Sequence, residues 1–309
     1  MNDRRLKTLY NNLDNTIKGE CERPVTVAFS GGIDSTLVAF IAQKYCDVEL
    51  IAVGVSDSHD LEAARTAAKL IGMEVRTIEV GEHEMVTEGI EMQKQVDLSG
   101  IEVEFMLPFW IAAKNTTNDI LMCGQGADEL FGGYARFRKE NAEKNLSKEV
   151  KDLLKKIPNR EKAITDIFDL NLSCPYLAKE VIKEAEVFSI DERIGDVGKV
   201  ILRKLAIMFG LPNEIANRKK KAAQYGSGSQ KAIKNIIKHR IEFKIDFESE
   251  KIARAIAKAT EPENKGWVET TVDKKQLKVI VKAKNLGSLR EAAEDFMACV
   301  AVAEKVTKE

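Results

Sequence analysis

The chain has 309 residues, 44% of them apolar and 31% charged, which is typical of a globular protein with one large or two medium domains. Lysine plus arginine (48) nearly cancels aspartate plus glutamate (49), so overall charge excludes general polyanion binding and leaves only a local patch for nucleic acid. The sequence has no apolar signal-peptide core and no run long enough to span a membrane, so we expect no membrane contact. Its five cysteines show no Cys-x-x-Cys spacing, so we expect a cytoplasmic protein with no zinc site and no disulfide framework.

The first half of the chain alternates helix-forming and strand-forming patterns. Residues 1–18 carry apolar residues at helical spacing and predict an amphipathic helix. Strands are then predicted over 25–29, 48–55, 73–80 and 118–123, and helices over 36–42, 60–71 (with Ser58 or Asp60 as its cap), 82–95 and 102–115. This order predicts a parallel sheet with helices on both faces, whose ligand lies beyond the carboxyl ends of the strands.

The segment Ser30-Gly31-Gly32-Ile33-Asp34-Ser35 joins the first strand to its helix. Its two glycines allow a tight turn and a close backbone approach, and the free N–H groups of the following helix favour an anion. Two serine hydroxyls add donors, and Asp34 adds a carboxylate that can hold a divalent cation. The turn lacks the Gly-Lys-Ser/Thr ending of the common nucleotide loop and the three-glycine dinucleotide spacing.

This Ser-Gly-Gly-x-Asp-Ser pattern resembles the pyrophosphate loop (PP-loop) of the N-type ATP pyrophosphatases. Those enzymes cleave ATP between the α and β phosphates and adenylate a substrate oxygen. The resemblance implies that ATP is the nucleotide and that its adenosine lies at the end of the second strand, at Val53 and Gly54.

A second glycine-rich loop, Gly124-Gln125-Gly126-Ala127-Asp128-Glu129-Leu130-Phe131-Gly132-Gly133-Tyr134, follows the strand predicted over 118–123. It resembles the corresponding loop of the asparagine synthetase family, which includes the β-lactam and carbapenam synthetases. The resemblance implies that Asp34 and Asp128 hold Mg²⁺ and that Asp128 is also a catalytic residue. It further implies that the pyrophosphate end of ATP is bound by a set of small residues: Ser30, Gly31, Gly32, Ser35, Gly124 and Gly126.

The resemblance continues through Gly198–Arg203, Leu211–Ile215 and Arg218–Lys220, where the family has Lys-x-x-Leu-Arg, Leu-Pro and Arg-x-Lys. It implies that Lys220 stabilises the charge that develops when a nucleophile attacks an acyl-adenylate. Gly226-Ser227-Gly228 is a candidate second phosphate cradle.

Three departures from the family pattern bear on the substrate. Asn2 rather than a nucleophilic cysteine follows Met1, so we expect ammonia or an amine to arrive free or from another protein. Gln125 stands in the catalytic loop where the family has a glutamate, a candidate base for ammonia, and an amide cannot accept that proton. Residues 171–178 lack the charged residues of the family's Glu-x-Arg-x-Pro-Phe-Leu-Asp segment, which disfavours aspartate as acceptor.

The C-terminal residues have a different pattern. A helix is predicted over 229–240 and a strand over 240–247. The strand alternates strictly, with its inward side chains at Ile241, Phe243, Ile245 and Phe247. The predicted elements that follow are a helix over 248–260, a hairpin over 267–272 and 276–283, and a helix over 286–306.

Four short segments of this βαββα unit match a known family: Ile252-Ala253-x-Ala255-Ile256, Glu261-Pro262-Glu263-Asn264, Leu277-x-Val279-x-Val281-x-Ala283 and Ser288-Leu289-Arg290. In these segments the unit resembles the small dimerising subunit of the KEOPS complex, which makes threonylcarbamoyladenosine in tRNA. The resemblance implies a homodimer or docking to the KEOPS kinase-like subunit.

The predicted architecture is an α/β ATP pyrophosphatase domain over 1–238 and a small α+β domain over 239–309. The predicted function is an ATP- and Mg²⁺-dependent ligase that forms AMP and pyrophosphate, adenylating a small carboxylate for attack by ammonia or an amine, with aspartate and ammonia as the default pair. One alternative is a tRNA-modifying PP-loop enzyme, favoured by the C-terminal unit and by a basic run (Lys231, Lys234, Lys238, His239 and Arg240) that either meets tRNA phosphates or is a solvated face. The absence of a cysteine pair argues against thiolation. The other alternative is a non-catalytic ATP-binding scaffold.

Overall fold

A computed structural model of the chain describes residues 3–134, 143–194, 198–218, 227, 240–261, 268–283 and 286–308. The chain divides into two compact units, Met1–Val80 with Met106–Gly228 and Gly81–Phe105 with Ser229–Glu309. The predicted domain boundary between residues 238 and 239 falls outside the described residues and stays a prediction. Within the described ranges, no helix is long and apolar enough to cross a bilayer.

The elements up to residue 122 follow the predicted alternation, whereas those between residues 127 and 216 were not predicted. The helices are α1 (Asp3–Glu20), α2 (Ile33–Ala42), α3 (His59–Leu70), α4 (Glu82–Gln95), α5 (Gly100–Asn115), α6 (Ala127–Phe131), α7 (Glu143–Ile167), α8 (Lys179–Glu186), α9 (Ile190–Ile194), α10 (Val200–Met208) and α11 (Asn213–Ala216). The strands are β1 (Val25–Ala28), β2 (Val48–Gly54), β3 (Arg76–Glu79), β4 (Ile120–Met122) and β5 (Asn171–Ser173). The strand predicted over 73–80 is confirmed in a shorter form, and β5 was not predicted.

These five strands form one parallel sheet in the order β3-β2-β1-β4-β5, which confirms the predicted fold class. The chain winds outward from β1 through β2 to β3, and later returns to place β4 on the other side of β1. The gap between β1 and β4 is therefore the point where the winding reverses. In open parallel sheets, the loops that leave the carboxyl ends of such a strand pair border the ligand crevice.

Helices α1 and α2 share one apolar core. The stripe predicted on α1 is confirmed as buried in full: Leu6, Leu9, Tyr10, Leu13 and Ile17. Helix α2 is buried on almost every side, and Leu37, Val38 and Ile41 are 0% exposed. Each such side chain contributes roughly 1.5–3 kcal/mol by leaving water. The start of α2, which carries the PP-loop residues, is therefore held by a rigid core.

The C-terminal unit has an antiparallel sheet in the order β6-β8-β7, made of β6 (Arg240–Asp246), β7 (Val268–Asp273) and β8 (Gln276–Lys282), with helices α12 (Glu250–Thr260) and α13 (Leu286–Lys308). The predicted βαββα order is confirmed. The inward position predicted for Ile241 is wrong, because this residue lies near the end of the edge strand β6 and is 39% exposed. The helix predicted over 229–240 falls on residues outside the described part, apart from Arg240.

Candidate functional site

The PP-loop, residues Ser30–Ser35, leaves the end of β1 and passes into the first turn of α2. Gly31 has φ +65°, and a Cβ atom there would lie 2.4 Å from the carbonyl oxygen of Ala63 on α3. Only glycine fits both the backbone conformation and the close approach. The backbone N–H of Ser30 donates to the Ser35 hydroxyl at 3.2 Å, so the loop folds back over the start of the helix.

The amino end of α2 faces this loop. Gly32 precedes the helix with an extended backbone and no side chain that could cap it, so the N–H groups of the first turn are not bonded by a capping side chain. The positive end of the helix dipole adds to these donors. The arrangement suits an anion such as phosphate, as the sequence predicted.

The second loop packs directly on the first. A Cβ atom on Gly124 would lie 2.9 Å from the backbone nitrogen of Ser35 and from Cβ of Asp34. Gly126 has φ +90°, and a Cβ atom there would lie 2.3 Å from the Leu177 side chain. Because β4 lies beside β1, Gly124 lets two loops about ninety residues apart in sequence meet at one edge of the sheet, while Gly126 leaves room for Leu177.

A single buried ammonium joins the two predicted metal ligands. Nζ of Lys199 lies 2.8 and 2.6 Å from the two carboxylate oxygens of Asp34 and 2.6 Å from Oδ1 of Asp128. The Lys199 side chain is 4% exposed. A Cβ atom on Gly133 would lie 1.8 Å from Oδ1 of Asp128 and 2.5 Å from Cε of Lys199, so the glycine leaves the space in which this pair forms.

This geometry also tests whether Mg²⁺ fits. Because Asp34 and Asp128 both accept from one ammonium, their oxygens converge on a common point. Mg²⁺ prefers such hard oxygen ligands and is commonly held by one or two carboxylates together with substrate phosphates. Among the described residues no cluster of three or more His, Cys, Asp or Glu could hold a metal by itself. The two carboxylates therefore suit a magnesium ion that nucleotide phosphates help to bind.

The end of β2, where the sequence predicts adenosine, is closely packed. Val53 is buried, and a Cβ atom on Gly54 would lie 2.3 Å from the Ser58 hydroxyl oxygen. The next N–H, that of Val55, donates to the carbonyl oxygen of Ser227 at 2.9 Å. This contact brings the predicted second phosphate cradle to β2, although Gly226 and Gly228 lie outside the described residues.

The predicted cap of α3 is corrected in part. Ser58 occupies the capping position, but its side chain makes no capping hydrogen bond. Its hydroxyl oxygen is buried and has no hydrogen-bond partner among the described residues. Asp60 lies inside the first turn of the helix rather than at the cap. Packing against Gly54 explains the orientation of Ser58 better than capping does.

The sequence profile of the asparagine synthase family matches residues 9–163, a range that contains both loops and the β1–β4 pair that brings them together. The chain belongs to the asparagine synthase family. The profile of a second family, described as transcription factor Pcc1, matches residues 240–308 and confirms the resemblance to the small KEOPS subunit.

Relatives of the chain carry names from the asparagine synthase family. "Putative asparagine synthetase (glutamine-hydrolyzing) 1" of Methanocaldococcus jannaschii is 32% identical, with 69% of this chain and 48% of that protein aligned. The asparagine synthetase (glutamine-hydrolyzing) of Mus musculus is 30% identical, with 77% and 48% aligned. The chain thus spans about half the length of these curated relatives. A structure described as a predicted subunit of tRNA methyltransferase from M. jannaschii is 17% identical, covering 64% of this chain and 94% of that one, with a TM-score of 0.32.

The Arg-x-Lys segment of this family member reaches the PP-loop through its arginine. Arg218 donates to the carbonyl oxygen of Gly31 at 3.2 Å, and its other terminal nitrogen lies 3.1 Å from Nδ1 of His59. Burial lowers the pKa of Arg218. The predicted catalytic residue Lys220 lies outside the described residues and stays a prediction. Gln125, predicted to be catalytic together with Lys220 and Asp128, is half-buried between Gly124 and Gly126 in the second loop.

The segment that departs from the family pattern supports the site from behind. The buried Tyr176 hydroxyl donates to the backbone carbonyl oxygen of Asp34 at 3.1 Å. Its ring lies edge-on to Phe131, whose centroid is 6.2 Å away. The segment therefore positions the PP-loop even though its charged residues are missing.

The second loop contains one buried glutamate, Glu129, and a second buried glutamate, Glu161, interacts with it from α7. Burial raises the pKa of Glu129, although its carboxylate accepts a hydrogen bond from the Tyr134 hydroxyl. Burial also raises the pKa of Glu161 on α7 to about 7, against the opposing effect of Arg160. The charge of Glu129 adds to the rise at Glu161, so the two carboxyl groups sense each other. One oxygen of each has no hydrogen-bond partner in the described structure.

The fold brings together two free cysteines that are far apart in sequence. Sγ of Cys123, just after β4, lies 3.5 Å from Sγ of Cys174, just after β5. The two residues are 51 positions apart, and the pairing of β4 with β5 brings them together, so no sequence spacing could have revealed them. The hydrogen bond with Cys123, followed by burial, raises the pKa of Cys174.

Sequence reasoning missed two residues that the structure places at the site. Lys199 was visible only as the first residue of the family's Lys-x-x-Leu-Arg motif, and that motif was its available signal. Tyr176 had no signal except its position in the departing segment. In contrast, the predicted residues Ser30, Asp34 and Asp128 do lie at the same sheet edge.

Proposed function

We propose that this chain is an ATP-dependent ligase that forms AMP and pyrophosphate. A carboxylate oxygen of the substrate attacks the α phosphorus of ATP, pyrophosphate leaves, and ammonia or an amine then displaces AMP from the acyl-adenylate. The observation that carries the proposal is the convergence of Asp34 and Asp128 on one point beside the amino end of α2. Membership of the asparagine synthase family supports it.

In this proposal the small residues around α2 bind the pyrophosphate end of ATP: Ser30, Gly31, Gly32, Ser35, Gly124 and Gly126. Val53 and Gly54 border the adenosine, and Asp34 and Asp128 hold Mg²⁺. Bound magnesium would supply positive charge against the departing pyrophosphate. Lys220 would stabilise the negative charge that develops on the acyl oxygen and on the departing AMP, and removing such a group typically costs roughly 3–4 kcal/mol of barrier. Gln125 would orient the nitrogen nucleophile by hydrogen bonding, since it cannot take its proton.

The experiment is substrate-dependent pyrophosphate release from labelled ATP with the full chain. Aspartate with ammonia is compared with bulk tRNA, in the wild type and in Lys220→Ala. We expect release of AMP and pyrophosphate with a small carboxylate, formation of the labelled amide, and a loss of roughly two to three orders of magnitude in Lys220→Ala. ATP binding without AMP formation under every condition would favour the scaffold instead.

A second candidate is a tRNA-modifying ligase in which an RNA base is adenylated. The Pcc1 match over residues 240–308 favours it, because the small KEOPS subunit belongs to a complex that modifies tRNA. Cys123 and Cys174, whose Sγ atoms lie 3.5 Å apart, are two neighbouring thiols that the sequence spacing does not reveal. Release that depends on tRNA and disappears after RNase treatment would select this function over amide synthesis.

We also propose that the C-terminal unit binds protein, as a homodimer or with a kinase-like subunit. Helix α13 exposes Met297 (44%), Val302 (64%) and Val306 (69%), and such apolar side chains along one helix are typical of a partner surface. Sedimentation of the wild type and of Val302→Glu tests this. We expect the wild type to form a dimer at micromolar concentration and the variant to shift to monomer.

A further inference from the structure

Lys199 is built into the position that a divalent cation would take. Its ammonium bonds both oxygens of Asp34 and Oδ1 of Asp128, at distances between 2.6 and 2.8 Å. All three side chains belong to the site proposed for Mg²⁺, and the lysine and Asp34 side chains are almost completely buried. The two carboxylates therefore already have a counter-ion before any metal arrives.

The backbone holds this lysine in place. Lys199 has φ +55°, a left-handed conformation that non-glycine residues rarely adopt, and it lies directly before α10. Its backbone N–H donates to the carbonyl oxygen of Phe131 in the second loop at 3.0 Å. Strained backbone of this kind persists where the surrounding structure enforces it, often at functional sites. The chain thus anchors the root of Lys199 beside Asp128 and leaves the long side chain to reach the carboxylates.

The Lys199 ammonium and a divalent cation cannot both bind the carboxylates of Asp34 and Asp128 at the same time. Each is positive, and both would need the same carboxylate oxygens within about 3 Å, where repulsion in a buried site is strong. In the free protein the lysine already lies in the site, whereas a metal ion must lose water molecules to enter it. A metal ion must therefore compete with it unless something else binds the ammonium.

A phosphate group can provide that new partner. A lysine ammonium is a compact charge on a stem of four carbons with rotatable bonds, so it can turn away from the carboxylates while its backbone stays fixed. The anion site at the start of α2 includes Ser35, the residue that follows Asp34, so phosphate oxygens bound there would lie near the ammonium. The same oxygens would complete the ligand set of the metal.

We propose that Lys199 is an internal counter-ion that keeps divalent metal out of the Asp34–Asp128 site until a nucleotide binds. Metal entry would then be coupled to nucleotide entry, and the free protein would bind Mg²⁺ or Mn²⁺ poorly. This inference rests on the proposed function for the identity of the nucleotide, but its central claim concerns metal binding and can be measured without any reaction.

The experiment is a titration of the nucleotide-free full chain with Mn²⁺, followed by the electron paramagnetic resonance signal of the free ion. We expect Lys199→Met to bind Mn²⁺ at least about tenfold more tightly than the wild type, which corresponds to about 1.4 kcal/mol. Asp128→Asn added to Lys199→Met should abolish the gain. Lys162→Met is the matched control, because Lys162 forms an exposed ion pair with Asp166 at 2.5 Å and its loss should change nothing.

Folding of the variant is controlled by a second measurement. Lys199→Gln keeps a hydrogen-bond donor without the charge, and we expect its melting temperature, like that of Lys199→Met, to rise with Mn²⁺ more than that of the wild type. Equal Mn²⁺ affinity of wild type and both variants would overturn the inference. If the wild type forms AMP but binds Mn²⁺ as tightly as the variants, only the counter-ion proposal is refuted. If the variants bind Mn²⁺ more tightly but the wild type forms no AMP, only the ligase proposal is refuted.

Discussion

The Tyr176 hydroxyl donates a hydrogen bond of 3.1 Å to the carbonyl oxygen of Asp34, joining residues 142 positions apart. We expect Tyr176→Phe to lower the free energy of unfolding by about 1 kcal/mol, the usual net value of a buried hydrogen bond. We also expect pyrophosphate release to fall about tenfold, because the PP-loop loses a support behind its carboxylate. Melting curves and steady-state kinetics check both effects.

Tyr45→Phe is the control for this prediction. Its hydroxyl donates to Asp14 at 2.5 Å, away from the loops, so its loss removes a hydrogen bond without touching the site. The control should lose stability and keep full activity. If Tyr176→Phe behaves like the control, the hydroxyl stabilises the fold without positioning the PP-loop.

Gly124→Ala should disable the site while the fold survives. The added methyl group would lie 2.9 Å from backbone and side-chain atoms of the PP-loop, so the two loops must move apart. We expect ATP affinity to fall by about an order of magnitude or more, measured by calorimetry. In Gly19→Ala the new Cβ meets nothing within 4 Å at the end of α1, and stability should rise by roughly 0.5–1 kcal/mol with unchanged ATP binding. Unchanged ATP binding in both variants would contradict close loop packing.

We expect Glu161 to make the stability of the protein depend on pH, with stability lost as the pH rises. Its pKa in the fold is raised to about 7 by burial, above the ordinary value of 4.5, so the folded chain holds a proton that the unfolded chain releases. Its stabilising effect is fully present below pH 4.5 and is lost as the pH rises through 7. Relative to Glu161→Gln, the wild type should therefore lose on the order of 3 kcal/mol between pH 4.5 and pH 8.

Urea unfolding of wild type and Glu161→Gln across that pH range measures this change. The substitution also alters the contact with Arg160, but this changes the free energy of unfolding equally at every pH. It therefore does not affect how the difference between the two proteins varies with pH. Asp166→Asn on the same helix removes an exposed carboxylate and should show no such trend. Parallel curves for wild type and Glu161→Gln would mean that Glu161 is charged at neutral pH in the fold.

The cysteines should differ in reactivity. Thiolate is the reactive form, and the pKa of Cys174 is raised by its hydrogen bond with Cys123 and by burial. We expect Cys299, which is half-buried on α13, to react with a thiol reagent in the native protein before Cys123 and Cys174. Peptide mass spectrometry after timed labelling measures the order. Rapid labelling of Cys174 would show that the pair is open to solvent.

Much of the fold could be predicted because its causes are local. The apolar stripe of α1, the short buried strands and the turn at Lys274-Lys275 are visible as spacing along the chain. Both glycine-rich loops could be found because tight turns and phosphate approach require particular residues in sequence. The burial predicted for Ile241 is wrong because burial also depends on neighbouring elements. Ile241 alternates with the inward-facing residues of its strand, but it lies near the end of an edge strand and is exposed.

By itself, the sequence determined the parallel α/β class, the two loops and the chemistry of their serines, glycines and aspartates, because these depend on residue types at short spacing. Only the tertiary structure decided which distant side chains meet: Lys199 between Asp34 and Asp128, Tyr176 behind Asp34, and Cys123 against Cys174. The physical reason is the strand order β3-β2-β1-β4-β5, which sets β4 between β1 and β5. Strand order is fixed by packing of the whole sheet and its helices, and no local pattern encodes it.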